Sequence, residues 1–169
     1  MKKSSILLSL VAILSIASVT VKAQVTATAT ASATIITPIA ISKSLDMSFG
    51  NVAVSPTLPG TVTLTPGNTR TIVGGVTLPV VTGTVNAAKF TVTGLSGSTY
   101  SITLPSAALT LTSGSNTMTV TAFTSTPTPT GTLTSGTQDI FVGATLNVAA
   151  AQAAGTYVSV AFPVTVNYN

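Results

Sequence analysis

The chain has 169 residues with a formal net charge of +4, and it contains no histidine, cysteine, glutamate or tryptophan. Without these residue types the usual general bases, nucleophile pairs and zinc sites cannot be assembled. The two acidic residues are also few for calcium. We therefore expect a protein that is not an enzyme and that has no catalytic residues, no metal site and no cofactor.

The first 23 residues have the pattern of a secretory signal peptide. Two lysines precede an apolar run over residues 6–19, and Ala23 ends a short motif suited to cleavage before Gln24. An uncleaved anchor is the alternative, but the apolar run is short for a bilayer span, and no later stretch would form a membrane helix. We predict export through the periplasm to the cell surface or the extracellular space, with no transmembrane segment in the mature chain.

The chain from residue 24 onward is nearly uncharged and rich in threonine. It holds 33 threonines, three basic residues (Lys43, Arg70 and Lys89) and two acidic residues (Asp46 and Asp139), so its net charge is +1. This leaves no basic patch for nucleic acid. A surface so poor in charge is unusual for a dispersed monomer and suits an assembly or a surface layer, although a merely threonine-rich secreted domain has the same composition.

Residues 25–34 alternate without a break between apolar and hydroxyl side chains. The apolar row is Val25, Ala27, Ala29, Ala31 and Ala33. A period of two is typical of a strand, and ten extended residues would span roughly 33 Å. The alternative is a low-complexity linker without fixed structure. We divide the chain into a signal peptide (residues 1–23), an N-terminal extension (residues 24–34) and a folded domain (residues 35–169).

The last twelve residues show the same period with larger side chains. The apolar row is Val158, Val160, Phe162, Val164, Val166 and Tyr168. This pattern predicts one strand over residues 158–168 with a continuous apolar face. Pro163 cannot donate a hydrogen bond to a neighbouring strand, which favours an edge position.

Between these ends the chain consists of short strand patterns separated by glycine, proline, asparagine and serine. Residues 139–148 carry an apolar side chain at every second position, from Ile140 to Val148. Residues 89–104 and residues 109–123 each have the spacing of a hairpin, and residues 124–136 are expected to form a surface loop. With no amphipathic helix, the pattern predicts an all-β antiparallel sandwich.

Several short motifs, in this order, resemble the fimbrial-type Ig-like domains of bacterial surface proteins. They are the alternating extension, L-D-M-S-F-G-N at residues 45–51, A-G-T-Y at residues 154–157, and the terminal alternating segment with a penultimate tyrosine. One relative is a domain-of-unknown-function family of secreted bacterial proteins, matched over nearly the whole mature chain. The other is the spore-coat-U-like pilins of archaic chaperone–usher fimbriae, matched at the ends. The resemblance implies an Ig-like sandwich with an extended N-terminal strand.

In those pilins the Ig-like fold lacks a strand, and the N-terminal extension of the next subunit fills the groove. By resemblance, residues 25–34 would be the donor strand, and residues 158–168 would form part of the groove, with Tyr168 as the penultimate aromatic residue. The implied partners are further copies or related surface subunits, and a periplasmic chaperone. The chain departs from the pilins where they commonly carry a disulfide, since it has Ile35 and Ile36 there, and its donor alanines are small.

Two hypotheses about function follow. In the first, the protein is a structural subunit of a bacterial surface fibre or coat and assembles by strand addition. In the second, it is a self-complete Ig-like adhesin or binding module on the cell surface. Residues 25–34 would then fold back as an edge strand of the same molecule.

Overall fold

The structure is a computed structural model that describes residues 22–169, of which residues 35–169 form one compact unit. Residues 22–34 carry no helix or strand, and their side chains are exposed. The strand predicted over residues 25–34 is therefore not formed in the single chain, and a strand needs a hydrogen-bonded neighbour. The predicted signal peptide lies, apart from its last two residues, outside the described residues. Within residues 22–169, no helix has the length and hydropathy required to cross a membrane.

The fold is all-β, and the described residues contain fifteen strands and one short 3-10 turn. The strands are β1 (Ala40–Leu45), β2 (Ser48–Phe49), β3 (Ala53–Val54), β4 (Gly60–Leu64), β5 (Arg70–Gly74), β6 (Val76–Thr77), β7 (Val85–Asn86), β8 (Ala88–Thr93), β9 (Thr99–Thr103), β10 (Leu109–Ser113), β11 (Asn116–Thr126), β12 (Thr130–Thr132), β13 (Thr137–Val148), β14 (Val158–Ser159) and β15 (Thr165–Tyr168). The 3-10 turn spans Thr134–Gly136.

The largest sheet is antiparallel and is built around β13. One edge of β13 pairs first with β8 and then with β4, while its other edge pairs with β11. The sheet continues outward in the orders β1-β8-β13-β11-β10-β14 and β13-β4-β5. The alternation predicted for residues 139–148 is confirmed, because every second side chain from Ile140 to Val148 is at most 5% exposed.

Three smaller antiparallel sheets, β12-β9-β15, β2-β7 and β3-β6, complete the sandwich-like fold. The core consists of two hydrophobic clusters. The first is Phe49, Val62, Leu64, Val76, Val120, Ala144, Leu146 and Val148. The second is Ala88, Phe90, Val92, Tyr100, Leu133, Ile140, Val142 and Val166. Strand β13 contributes to both clusters, so its length joins the two halves of the core.

The single strand predicted over residues 158–168 is wrong, because the structure divides it between two sheets. Strand β14 pairs with β10 in the large sheet, and β15 pairs with β9 in a smaller one. Residues 160–164 carry no strand. Pro163 lacks the N–H that a continuous ladder would need, and the chain passes here from one sheet to the other.

One of the two predicted hairpins is confirmed and the other is wrong. Strands β10 and β11 pair directly, closing at Ser113 and Asn116. Strands β8 and β9 lie in different sheets, since the N–H of Gly94 donates to the carbonyl of Gly136 instead of closing a hairpin. The loop predicted over residues 124–136 also contains the end of β11 and all of β12.

Candidate binding groove

An apolar groove with a volume of about 1140 Å³ lies over part of the large sheet. One wall is formed by residues 46–54, which follow β1, and the opposite wall by residues 152–162, which precede β15. The floor consists of side chains from β8, β10, β11 and β13. They are Ala88, Phe90, Leu109, Leu111, Met118, Val120, Leu146 and Val148. The groove therefore separates an early segment of the fold from a late one.

The groove is open because part of the apolar floor has no cover. Leu109 lies directly opposite Val120 in the β10–β11 ladder, and the side chain of Val120 is buried. Leu109, Leu111 and Met118 pack against the same cluster but are only half-buried. Half-buried apolar side chains in a row retain contact with water, which covering by a further chain segment would remove.

The first wall is held in place by hydrogen bonds to neighbouring loops. The guanidinium of Arg70 donates to the carbonyls of Phe49 and Asn51, at 2.6 and 2.9 Å from its Nη1. The side-chain amide of Asn51 donates to the carbonyl of Val81 at 3.0 Å, and its backbone N–H donates to the backbone carbonyl of Thr82 at 2.7 Å. The only arginine of the chain thus serves to anchor this wall.

The second wall is anchored at its start by two side chains. The Nε2 of Gln152 donates to the carbonyl of Thr117 at 3.1 Å and to the hydroxyl of Tyr157 at 2.8 Å. That hydroxyl in turn donates to the carbonyl of Ala153 at 2.8 Å. After β14 the wall continues through residues 160–164, which belong to no sheet.

Phe162 closes the second wall at the junction of the two core clusters. Its ring centroid lies 5.1 Å from that of Phe123 and 6.3 Å from that of Phe90, in tilted and edge-on arrangements. These geometries are the ones that aromatic pairs favour. The side chain therefore fixes the wall where the chain leaves the large sheet.

The lining of the groove is electrically neutral. Its two charged residues, Lys43 and Asp46, form an ion pair with 2.6 Å between Nζ and Oδ1. Both side chains are mostly exposed, so the pair contributes little to stability. An uncharged segment with an apolar face matches this surface better than a charged ligand does.

The predicted groove residues fall into two sets. Val158, Val160 and Phe162 line the groove, whereas Val164, Val166 and Tyr168 pack on the second core cluster. The floor residues and the first wall were not predicted as part of a site. The alternation of β10 and β11 marked their apolar faces, but only the pairing of distant strands brings those faces together.

The predicted donor residues lie on the described part of the extension. Val25, Ala27, Ala29, Ala31 and Ala33 are exposed, as are the hydroxyl residues between them. Ile35 follows in the same phase and is 93% exposed. The apolar row therefore ends in a bulky side chain.

The two aspartates occupy separate ion pairs. Asp46 pairs with Lys43, and Asp139 pairs with Lys89 at 2.8 Å while accepting a hydrogen bond from the Thr91 hydroxyl, also at 2.8 Å. The hydrogen bond from Lys89, and then that from Thr91, lower the pKa of the Asp139 carboxyl below its usual value. Each carboxylate thus has its own lysine.

The family model described as "Domain of unknown function (DUF4402)" matches residues 39–168. The chain belongs to this family. The match includes every strand from β1 to β15 and both walls of the groove, and it leaves the extension outside. The predicted membership of a domain-of-unknown-function family is thus confirmed. No curated protein and no solved structure matches the chain.

Proposed function

We propose that this protein is an exported structural subunit of a bacterial surface fibre or coat, and that its Ig-like fold is completed by strand addition. Residues 25–34 of one copy would occupy the groove of the next. The observation that carries the proposal is the groove itself, which lies between residues 46–54 and residues 152–162 above half-buried leucines.

The chemistry of the two surfaces supports this assignment. The groove carries no net charge and has an apolar floor, and the extension is an uncharged sequence with one apolar row. Residues 160–164 belong to no sheet, so their backbone groups, except for the N–H that Pro163 lacks, would be available for main-chain hydrogen bonds to an added strand.

The energetics indicate which part of the extension matters most. Four buried alanine methyls would contribute about 3 kcal/mol and Val25 about 2 kcal/mol. Ordering the backbone costs about 1–2 kcal/mol per residue, so main-chain hydrogen bonds of about 1 kcal/mol each must supply much of the balance. Ile35 adds a bulky side chain in phase with the row, and its burial would contribute about 2–3 kcal/mol more.

The test compares two variants, each of which places one negative charge on a different face of the extension. In the exported protein, Ala29→Asp puts a carboxylate in the apolar row, whereas Thr28→Asp puts the same group in the hydroxyl row. We expect Ala29→Asp to abolish assembly, seen by sedimentation velocity and electron microscopy, and Thr28→Asp to retain it. Equal behaviour of the two variants would sink the proposal, as would unchanged fibres after deletion of residues 25–34.

The alternative function is a self-complete binding module. It is supported by the family match, which begins at residue 39 and so treats the domain without the extension as the shared unit. On this hypothesis the protein is a monomer both with and without residues 25–34. Strand addition instead predicts that the deletion changes the oligomeric state.

A further inference from the structure

A glutamine lies at the predicted N-terminus of the mature chain. Val21, Lys22 and Ala23 form the motif that precedes the cleavage site, so cleavage there leaves Gln24 as the first residue. Gln24 then carries a free α-amine and a side-chain amide on the same residue. These two groups can react with each other.

The new α-amine would be the only charged group in a long segment of the mature chain. From Gln24 to Ser42 the sequence has no charged side chain, and the first charge is that of Lys43. An α-amine is mostly protonated at neutral pH. The end of an otherwise uncharged extension would therefore carry a full positive charge.

The structure leaves this end of the chain accessible. Residues 22–38 are exposed, and residues 22–34 lie in no helix or strand. Neither core packing nor a strand ladder therefore holds the Gln24 side chain away from its own backbone nitrogen. The side chain is free to fold back onto that nitrogen.

We propose that Gln24 of the exported protein closes into a five-membered lactam, pyroglutamate, and that this modification removes the charge from the end of the extension. The unprotonated α-amine attacks Cδ of the side-chain amide. The bond between the α-nitrogen and Cδ forms, and the bond between Cδ and Nε2 breaks. Nε2 leaves as ammonia and takes a proton from the amine. The step changes no oxidation state and needs no co-reactant.

The length of the glutamine side chain decides whether the reaction is possible. The amine and Cδ belong to the same residue, and an intramolecular attack of this kind has a high effective concentration of the nucleophile. Glutamine closes an unstrained ring. An asparagine at the same position, one methylene shorter, would have to close a strained four-membered ring.

The groove supplies the reason why the charge matters. Its two charged lining residues, Lys43 and Asp46, already pair with each other, with 2.6 Å between Nζ and Oδ1. The lining thus offers an incoming ammonium no unpaired carboxylate, and an unpaired charge is costly to bury. The modification rests on the predicted export and cleavage, and its role in the groove rests in addition on the proposed strand addition.

The first test measures the mass of the N-terminal peptide. The full chain is produced with its own leader and purified from the exported fraction, and trypsin then releases residues 24–43. We expect this peptide to be lighter by one ammonia and to be blocked to Edman degradation. The proposal is overturned if the peptide keeps its ammonia after incubation at about pH 8, where about half of the amine is unprotonated. An N-terminus at another residue would overturn it as well.

Gln24→Asn is the matched control because it keeps a side-chain amide at the same position. Residues 25–43 contain no other side-chain amide, so ammonia lost from the peptide must come from residue 24. We expect the Gln24→Asn peptide to keep its full mass and a free α-amine. Equal loss of ammonia from the two proteins would contradict ring closure as its source.

The role of the modification is tested by assembly. Gln24→Asn retains the ammonium, and we expect it to need a protein concentration higher by about threefold or more to assemble at neutral pH in sedimentation velocity. Equal assembly of the two proteins would overturn this role.

The Ala29→Asp variant separates the modification from strand addition. It should fail to assemble and still lose ammonia from Gln24. If it loses ammonia and assembles normally, the modification stands and strand addition fails. If the unsubstituted protein assembles with an open Gln24, strand addition stands and the modification fails.

Discussion

The hydroxyl of Tyr168 donates a hydrogen bond to the backbone carbonyl of Thr37, with 2.8 Å between the two oxygens. The same hydroxyl accepts a hydrogen bond from the N–H of Leu95 at 2.6 Å. The penultimate residue thus joins the last strand to the first residues of the folded unit and to the loop after β8.

Removing this hydroxyl should destabilise the protein without altering the core. Tyr168→Phe leaves the Thr37 carbonyl and the Leu95 N–H without their partner, and we expect the free energy of unfolding to fall by about 1–2 kcal/mol. Urea denaturation followed by circular dichroism measures the change. A midpoint that does not move would show that water replaces the hydroxyl at no cost.

Gly94 is the position where the same hydroxyl leaves no room for a side chain. A Cβ at Gly94 would clash with the Tyr168 oxygen, whereas a Cβ at Gly67 has no neighbour closer than 3.7 Å. We expect Gly94→Ala to cost about 1–3 kcal/mol and Gly67→Ala less than about 0.5 kcal/mol. The double variant Gly94→Ala with Tyr168→Phe should be less destabilised than the sum of the two. Strict additivity in urea denaturation would contradict the contact.

Because Tyr100 is buried, we expect the protein to lose stability at alkaline pH. Its side chain is fully buried, its hydroxyl donates to Oε1 of Gln138 at 2.8 Å, and burial raises the pKa of the phenol above its usual 10.0. The contribution of the neutral Tyr100 phenol to the free energy of unfolding is fully present below pH 10.0. It is lost as the pH rises through the higher pKa of the folded state. Urea titrations from pH 8 to pH 11 should show a shallower decline in Tyr100→Phe. An equally steep decline would assign the effect to other groups.

The hydrogen bonds to Asp139 lead us to expect a loss of stability at acid pH. Its pKa is lowered by the hydrogen bond from Lys89 and then by that from Thr91, relative to a usual value of 3.8. The contribution of the ionised Asp139 carboxylate to the free energy of unfolding is therefore present above pH 3.8. It is lost as the pH falls through the lower pKa of the folded state. We expect Asp139→Asn to flatten the pH dependence of the unfolding midpoint between pH 5 and pH 2. Lys89→Met, which removes the principal donor, should flatten it as well, and a steeper profile in either variant would contradict this origin.

Local alternation predicted the strands better than it predicted their partners. The buried row of β13 and the β10–β11 hairpin follow from short stretches of sequence, because side-chain period and turn chemistry are properties of neighbouring residues. The hairpin predicted between β8 and β9 is wrong because the N–H of Gly94, which follows β8, donates to the carbonyl of Gly136, 42 positions along the chain. Pairing between distant strands leaves no comparable local signal.

The sequence by itself determined that this chain is all-β, nearly uncharged after residue 23, and equipped with two alternating segments near its ends. Only the tertiary structure decided where the terminal segment lies. It divides the terminal row between two sheets, so that Val158 and Val160 line a groove while Val166 is buried. It also places β5 at an edge of the large sheet and brings the guanidinium of Arg70 to the carbonyls of Phe49 and Asn51. The reason is that burial and edge position depend on which strands lie side by side, and long-range hydrogen bonding settles this.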